Sequence, residues 1–545
     1  MRRVRFTVLM SIAAAVRAAL RPLPGRWGVL PGLRAAAAAA IVLGAAVAAA
    51  DLSVGGIAYL GVACAVSFVG AGGARSRVAR VAGQAAGAAV GMTVGALVPA
   101  TTGWVVPTAA AVGFVAGALG RIGPASTGAA VMAVIGMAYT QFGRLAMPWW
   151  EPVLAYLVGS VVVLLLALIE SATVGRHDTR RAVAAVWVAA ADLVLAPEDD
   201  AARHRLAANW ATAHEAVMGY RGRCATPASW AGAREAAAEA ARIAAHPDSD
   251  LATRTDLSRR WRAAAVGDRD QPLGAAPGRR RSVVRQALEP AALWTGARVG
   301  VCVGVATAVA ILLRTPAHAF WIPLTVAVVL RPEYGSVLVR SAHRLLGTVV
   351  GVAAVAGLLA VTSAHLWITV VAALSLGLAA FGATRFYGLA VVGITGSALF
   401  SVALTSPAGF DPWARLVDTV IGCVIALVVG VLLWPRRGLY DQSGEFARAA
   451  AALADYAERP GPSTADEAYR RAHGWRDQLD RDATEPDPAR TAAGWLPVAH
   501  RLEHVVDLVA ATPRPDVADR LRTRPRTAAE AGALLDAIAE ELRPP

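Results

Sequence analysis

Arg340 and Arg344 stand four residues apart in the stretch FWIPLTVAVVLRPEYGSVLVRSAHRLLGTVVG, which runs from Phe320 to Gly351. At that spacing two side chains share one helix face. With Arg331 in the same stretch and Arg80 far upstream, they could line a positive vestibule. The planar guanidinium fork suits carboxylates there. Anchoring at lipid headgroups competes with this reading, and it is ahead for Arg75 and Arg77. Arg415 and Asp418 stand three apart inside an apolar run. Charges at membrane depth are costly, so they face a cavity or one another. A structural ion pair and a substrate or proton-relay site are equally open for these two. Asp418 is the carboxylate placed for proton coupling, because Asp51, Glu151 and Glu333 fall at loop ends.

Other chemistry is excluded or weak. His500-Arg-Leu-Glu503-His504 matches the H-x-x-E-H pattern of one metalloprotease class. That chemistry needs a further ligand and a cleft, and a polar side of an amphipathic helix explains the residues better. All 53 basic residues are arginine. The chain therefore has no Walker-A lysine, kinase strand lysine or Schiff-base lysine, which rules out an ATP-driven pump or kinase within it. Cys64, Cys224, Cys302 and Cys423 are isolated, fitting neither a disulfide framework nor a zinc site. No nucleophile elbow or dinucleotide fingerprint is present. No cofactor, no metal and no enzymatic activity are expected.

The elements that position these residues follow from hydropathy. Hydrophobic residues make up 56% of the 545, and the charged 17% are clustered at the ends of long apolar windows. A pI near 10.6 therefore reads as arginine flanks on an anionic membrane rather than nucleic-acid binding. Apolar runs lie near 33–50, 54–72, 81–99, 104–120, 125–142 and 150–170, and again near 293–313, 317–330, 345–361, 364–381, 386–404 and 413–434. Most are long enough to cross about 30 Å of hydrocarbon as helices. The run before Arg331 is short and bounded by Pro323 and Pro332, with Gly335 beyond; its upstream counterpart is broken by glycines instead. Such broken segments in a repeated transporter point to a substrate site. Gly83, Gly87 and Gly91, like Gly347 and Gly351, place small residues on one face for helix packing, with a hinge as the lesser reading.

The two sets read as copies. Gly32 with Arg34 matches Gly296 with Arg298 at an offset of 264, and Arg80, Gly83 and Gly87 match Arg344, Gly347 and Gly351 at the same offset. Trp210 and Trp230 match Trp475 and Trp495 at 265. Arginine bias puts both termini in the cytoplasm, and six spans per copy make the repeat parallel. The expected fold is an all-α membrane protein with two tandem six-helix transmembrane bundles, each followed by a cytoplasmic helical segment. The bundles occupy 1–175 and 289–435, and the helical segments, read as hairpins, occupy 176–288 and 436–545. The first residues, MRRVRFTVLMSIAAAVRAAL, read as an uncleaved amphipathic lead-in.

The stretch from Trp321 to Gly351 resembles the signature of the fusaric-acid-resistance (FUSC) family. The resemblance rests on Trp321, Pro323, Thr325, Arg331, Pro332, Gly335, Arg340, Arg344, Gly347, Thr348 and Gly351, joined by Trp413, Arg415, Asp418 and Gly422. It implies a multi-pass bacterial inner-membrane protein. The implied function is a secondary transporter exporting organic anions, foremost aromatic carboxylic acids. A passive anion channel and a non-transporting membrane scaffold are the alternatives. The expected partners are membrane lipid, a small organic anion and a second copy as homodimer, with no nucleic acid. The first copy lacks the Arg-Pro pair, which leaves its contact with substrate open.

Overall fold

Long uncharged stretches of alanine, valine, leucine and glycine satisfy their backbone hydrogen bonds only as helices once water is excluded. The structure, a computed structural model, bears this out: among the described residues there are helices and no strands. The residues described are 22, 27–70, 74–98, 101–143, 147–173, 175–218, 228–245, 250–267, 287–313, 320–330, 337–361, 364–405, 411–434, 442–483, 491–512 and 514–542. The N-terminal lead-in and Cys224, Arg331, Pro332, Glu333 and Gly335 lie outside them.

The first apolar set forms α1 (Val29–Ala48), α2 (Leu52–Val69), α3 (Ala74–Leu97), α4 (Val105–Leu119), α5 (Pro124–Phe142) and α6 (Trp150–Thr173). There follow α7 (Gly175–Leu195), α8 (Asp200–Met218), α9 (Ala228–Ala245) and α10 (Leu251–Gly267). The second apolar set forms α11 (Pro290–Leu312), α12 (Trp321–Val329), α13 (Val337–Leu359), α14 (His365–Gly382), α15 (Tyr387–Thr405) and α16 (Pro412–Leu427), the last continued by a π-helical turn, Val428–Leu432. The C-terminal part holds α17 (Gln442–Glu458), α18 (Pro462–Ala483), α19 (Thr491–Ala511), α20 (Ala518–Leu521) and α21 (Ala528–Leu542). Local chemistry sets several starts. The Asp51 and Asp411 carboxylates accept from the backbone N–H of Val54 and Trp413, capping α2 and α16. Proline opens α5, α11 and α16, where its missing N–H has no intrahelical role.

Helices stand at all twelve expected runs, yet among the described residues only eight are long and apolar enough to cross a membrane by themselves. Three of the other four have physical reasons. At nine residues α12 is about 14 Å long and falls well short of a bilayer. Helix α4 is apolar but has only 15 residues. Helix α3 begins with Arg75, Arg77 and Arg80, and its glycines at 83, 87 and 91 press on the backbone of α5 at Ala125, Ala129 and Ala133. A helix shielded by a neighbour need not present hydrocarbon to lipid.

The chain divides into two compact units. The first gathers both apolar sets, apart from the ends of α3 and α6. Its surface carries outward apolar stripes such as Leu154, Val158, Val161, Leu165 and Ile169 on α6. Trp104, Trp150, Trp367 and Trp413 are exposed at the N-terminal ends of α4, α6, α14 and α16. Apolar belts rimmed by tryptophan are the mark of a protein set in lipid. This is a multi-pass membrane protein. Inside the unit the two sets interlock. Gly32 of α1 meets the Gly377 backbone of α14, while Gly296 and Gly300 of α11 meet the backbone of α4 at Phe114 and Ala110.

The second unit combines α7–α10 with α17–α21. Each segment is a multi-helix cluster rather than the expected hairpin, because one hairpin cannot enclose its own tryptophans. Trp210 and Trp230 stand 5.5 Å apart in one core, and Trp475 and Trp495 stand 6.0 Å apart in the other.

Candidate functional site

Helix α16 inverts the pattern of a water-soluble amphipathic helix. Val417, Val420, Val424 and Val428 are exposed, while Arg415, Asp418, Thr419 and Gly422 are buried. In lipid the apolar face turns outward and the polar face turns to other helices. Gly422 lets α12 approach closely: a Cβ there would lie 2.7 Å from Thr325 Cβ. That approach brings two α12 residues to Arg415. The guanidinium lies 4.0 Å from the Trp321 ring centroid, and its Nη1 donates to Thr325 Oγ1 at 3.5 Å. Stacking on an indole face is the most favourable cation–π arrangement.

Helix α13 supplies the other charges. Arg340 and Arg344 are both buried on it, each 3% exposed. The Arg344 and Asp418 charges both act on Arg415, and those of Arg344 and Arg415 reach Cys423, against which Ser341 packs. Together α13 and α16 bury three guanidinium groups and one carboxylate. Among the described residues, the Nε–H groups of Arg344 and Arg415 find no hydrogen-bond acceptor although both are buried. A buried donor without an acceptor is costly, and an incoming anion relieves that cost.

Aromatic rings border the charges. Phe320 packs on Trp321 at 4.3 Å between centroids, and Tyr139 of α5 meets Phe320 edge-on at 5.4 Å. A small apolar crevice of ≈ 30 Å³ lies between α4, α5, α11 and the far end of α12, lined by residues including Thr127, Val131, Thr295, Ala327 and Leu330.

The sequence-expected residues separate into three groups. Arg340, Arg344, Arg415 and Asp418 occupy the neighbouring inner faces of α13 and α16, and Pro323 is buried within α12. Arg80 stands beside Gly70, at the end of α2. Arg331, Pro332 and Gly335 are outside the described residues. The expected open vestibule needs correcting: Arg340 and Arg344 are inside the packed bundle, because Gly347 and Gly351 draw α13 against α15 at Val391 and Thr395. The aromatic border was missed by sequence reasoning, as was His343, buried against Phe386 and Tyr387. A histidine between two arginines on an apolar helix was the available signal.

The first set carries a neutral network near its corresponding helices. Tyr156 Oη donates to Gln84 Oε1 at 2.6 Å, and Gln84 Nε2 donates to Ser160 Oγ at 3.0 Å.

Residues 305–429, which contain the whole α12–α13–α16 cluster, match the family described as fusaric acid resistance protein-like. That match supports membership in the FUSC family. A FUSC assignment fits the short α12 and the charged inner face of α16, which are the features the match covers. The chain is also 34% identical over 155 residues to an uncharacterized protein of Escherichia coli (strain K12), YhfK. That similarity takes in 27% of this chain and spans about a fifth, 21%, of the length of the relative. No solved structure matches.

Proposed function

We propose that this FUSC protein is a secondary transporter that exports organic anions, aromatic carboxylates foremost, across a bacterial inner membrane. The observation that carries the proposal is the buried pair Arg344 and Arg415, whose Nε–H groups have no acceptor among the described residues, beside a helix too short to span lipid. A carboxylate fits donors of that kind. The Trp321–Phe320–Tyr139 rings support an aromatic body for the same ligand. Asp418, one turn from Arg415 on α16, is the proposed proton-coupling group.

The reading includes a duplicated architecture of two tandem six-helix bundles, residues 1–175 and 289–435. Their helical segments, 176–288 and 436–545, lie with both termini in the cytoplasm. Reciprocal packing supports it. Gly32 meets Gly377 as Gly296 meets the α4 backbone beside Gly113, and adding 264 to 32 and 113 gives 296 and 377. Gly422 likewise meets the Ile322 carbonyl as Gly159 meets the Ala58 carbonyl. Two parallel copies about an axis along the membrane normal produce such exchanged pairs.

Efflux of an aromatic carboxylate from loaded proteoliposomes tests the function. A pH gradient should accelerate wild-type efflux, and Asp418→Asn should abolish that acceleration while leaving slow efflux. Flux indifferent to the pH gradient, with steady current in planar bilayers, would instead identify a passive channel.

A further inference from the structure

The H-x-x-E-H sequence at 500–504 directs attention to Glu503, but its own histidines are not the partners. His500 Nδ1 lies 3.4 Å from Asp200 Oδ2. Glu503, 5% exposed on α19, points instead to His473 of α18 and His204 of α8. Its Oε1 lies 3.7 Å from His473 Nδ1 and 3.9 Å from His204 Nδ1. One ligand atom from each of the three residues lies within 4.8 Å of the others.

Three independent features accompany this convergence. His204 Nδ1, His473 Nδ1 and Glu503 Oε1 are all buried and, among the described residues, none has a hydrogen-bond partner. Buried polar atoms almost always have one, so three orphans facing a common point mark a place for another group. The opposite ends of the same side chains are held. His473 Nε2 lies 3.1 Å and His204 Nε2 3.6 Å from the Asp477 carboxylate, and Arg476 donates to Glu503 Oε2. A carboxylate behind the outer ring nitrogen is what orients a ligating histidine and fixes its tautomer. The spacings also suit a small ion: bonds of about 2.0–2.1 Å at tetrahedral angles separate ligand atoms by about 3.4 Å.

We propose that His204, His473 and Glu503 bind one first-row divalent transition metal, zinc being the best fit to a two-histidine, one-carboxylate set. The partly exposed side chain of His204 leaves a coordination position toward solvent. Because α8 comes from the first helical segment and α18 and α19 from the second, the ion fastens two distant parts of the chain within one unit. Its binding free energy then adds to the stability of that unit.

The test uses the full-length chain, purified in detergent with any histidine tag removed, stripped by chelator and titrated with ZnCl2 or CoCl2. One zinc per chain by elemental analysis, visible cobalt absorption of the tetrahedral kind and a higher melting temperature are expected. His204→Gln and Glu503→Gln should each weaken zinc binding about tenfold or more, and Asp477→Asn by about tenfold. His204 is the least buried ligand, so its variant decides the matter should Glu503→Gln fail to fold. The same side chains also allow an ion-pair network in which a proton on His473 occupies the metal's place. Absence of zinc and of cobalt absorption in the wild type, or equal binding in wild type and His204→Gln, would establish that network and overturn the metal site.

Discussion

The two helix sets of the membrane unit place polar residues at corresponding positions and use them differently. Between α2, α3 and α6, Tyr156, Gln84 and Ser160 form a neutral chain of hydrogen bonds, and Gly61 packs on the Tyr156 backbone. The positions 263 or 264 residues later are Thr419, Thr348, Cys423 and Thr325, and around these the second set buries Arg344, Arg415 and Asp418. The first arrangement uses its donors and acceptors internally. The second leaves the Arg344 and Arg415 Nε–H groups without acceptors among the described residues. A satisfied network rigidifies, whereas unsatisfied buried charge keeps affinity for something else. On the proposed function, the first set is framework and the second is the place where an anion binds.

Removing a charge from the second set should have the largest effect. Arg344→Ala should lower aromatic-anion efflux about tenfold or more, since one charge-assisted hydrogen bond contributes about 1.5–3 kcal/mol and 1.4 kcal/mol is tenfold. Proteoliposome flux measures it, with circular dichroism to show that the helices remain. Wild-type flux from a folded Arg344→Ala protein would remove the contrast between the sets.

The next effect belongs to the first set and concerns stability. Tyr156→Phe leaves Gln84 Oε1 buried without its donor, which costs about 1–3 kcal/mol. Thermal unfolding in detergent should register that loss while flux per folded molecule stays near wild type. A flux defect without a stability defect would place the first set in the transport route as well.

Helix positions and the shortness of α12 were legible because each is written locally, in hydropathy and proline. The buried state of Arg340 and Arg344 was not. An arginine near a helix end looks the same in sequence whether it faces headgroups or a helix interface, and only the approach of α15 to Gly347 and Gly351 decides. The partners of Glu503 were invisible for another reason. The H-x-x-E-H pattern presumes ligands on one helix, whereas His204, His473 and Glu503 come from three helices, that of His204 far from the other two in the chain.

Arg80 gives the finest test of the comparison, because it shares its register with Arg344 and yet stands elsewhere. Gly70 ends α2 at φ +59° and ψ −174°, a backbone state that essentially only glycine holds. The Arg80 guanidinium occupies the space beside it, so a cation sits at the carbonyl end of α2, where the helix dipole favours it. Arg80→Ala should therefore cost only about 0.3–1 kcal/mol of stability, a small drop in unfolding temperature, and leave efflux within about twofold of wild type. The register makes the two arginines equivalent, but the environment does not. If Arg80→Ala lowered flux as much as Arg344→Ala, both sets would have to hold the anion, and the neutral network around Gln84 could no longer be framework alone.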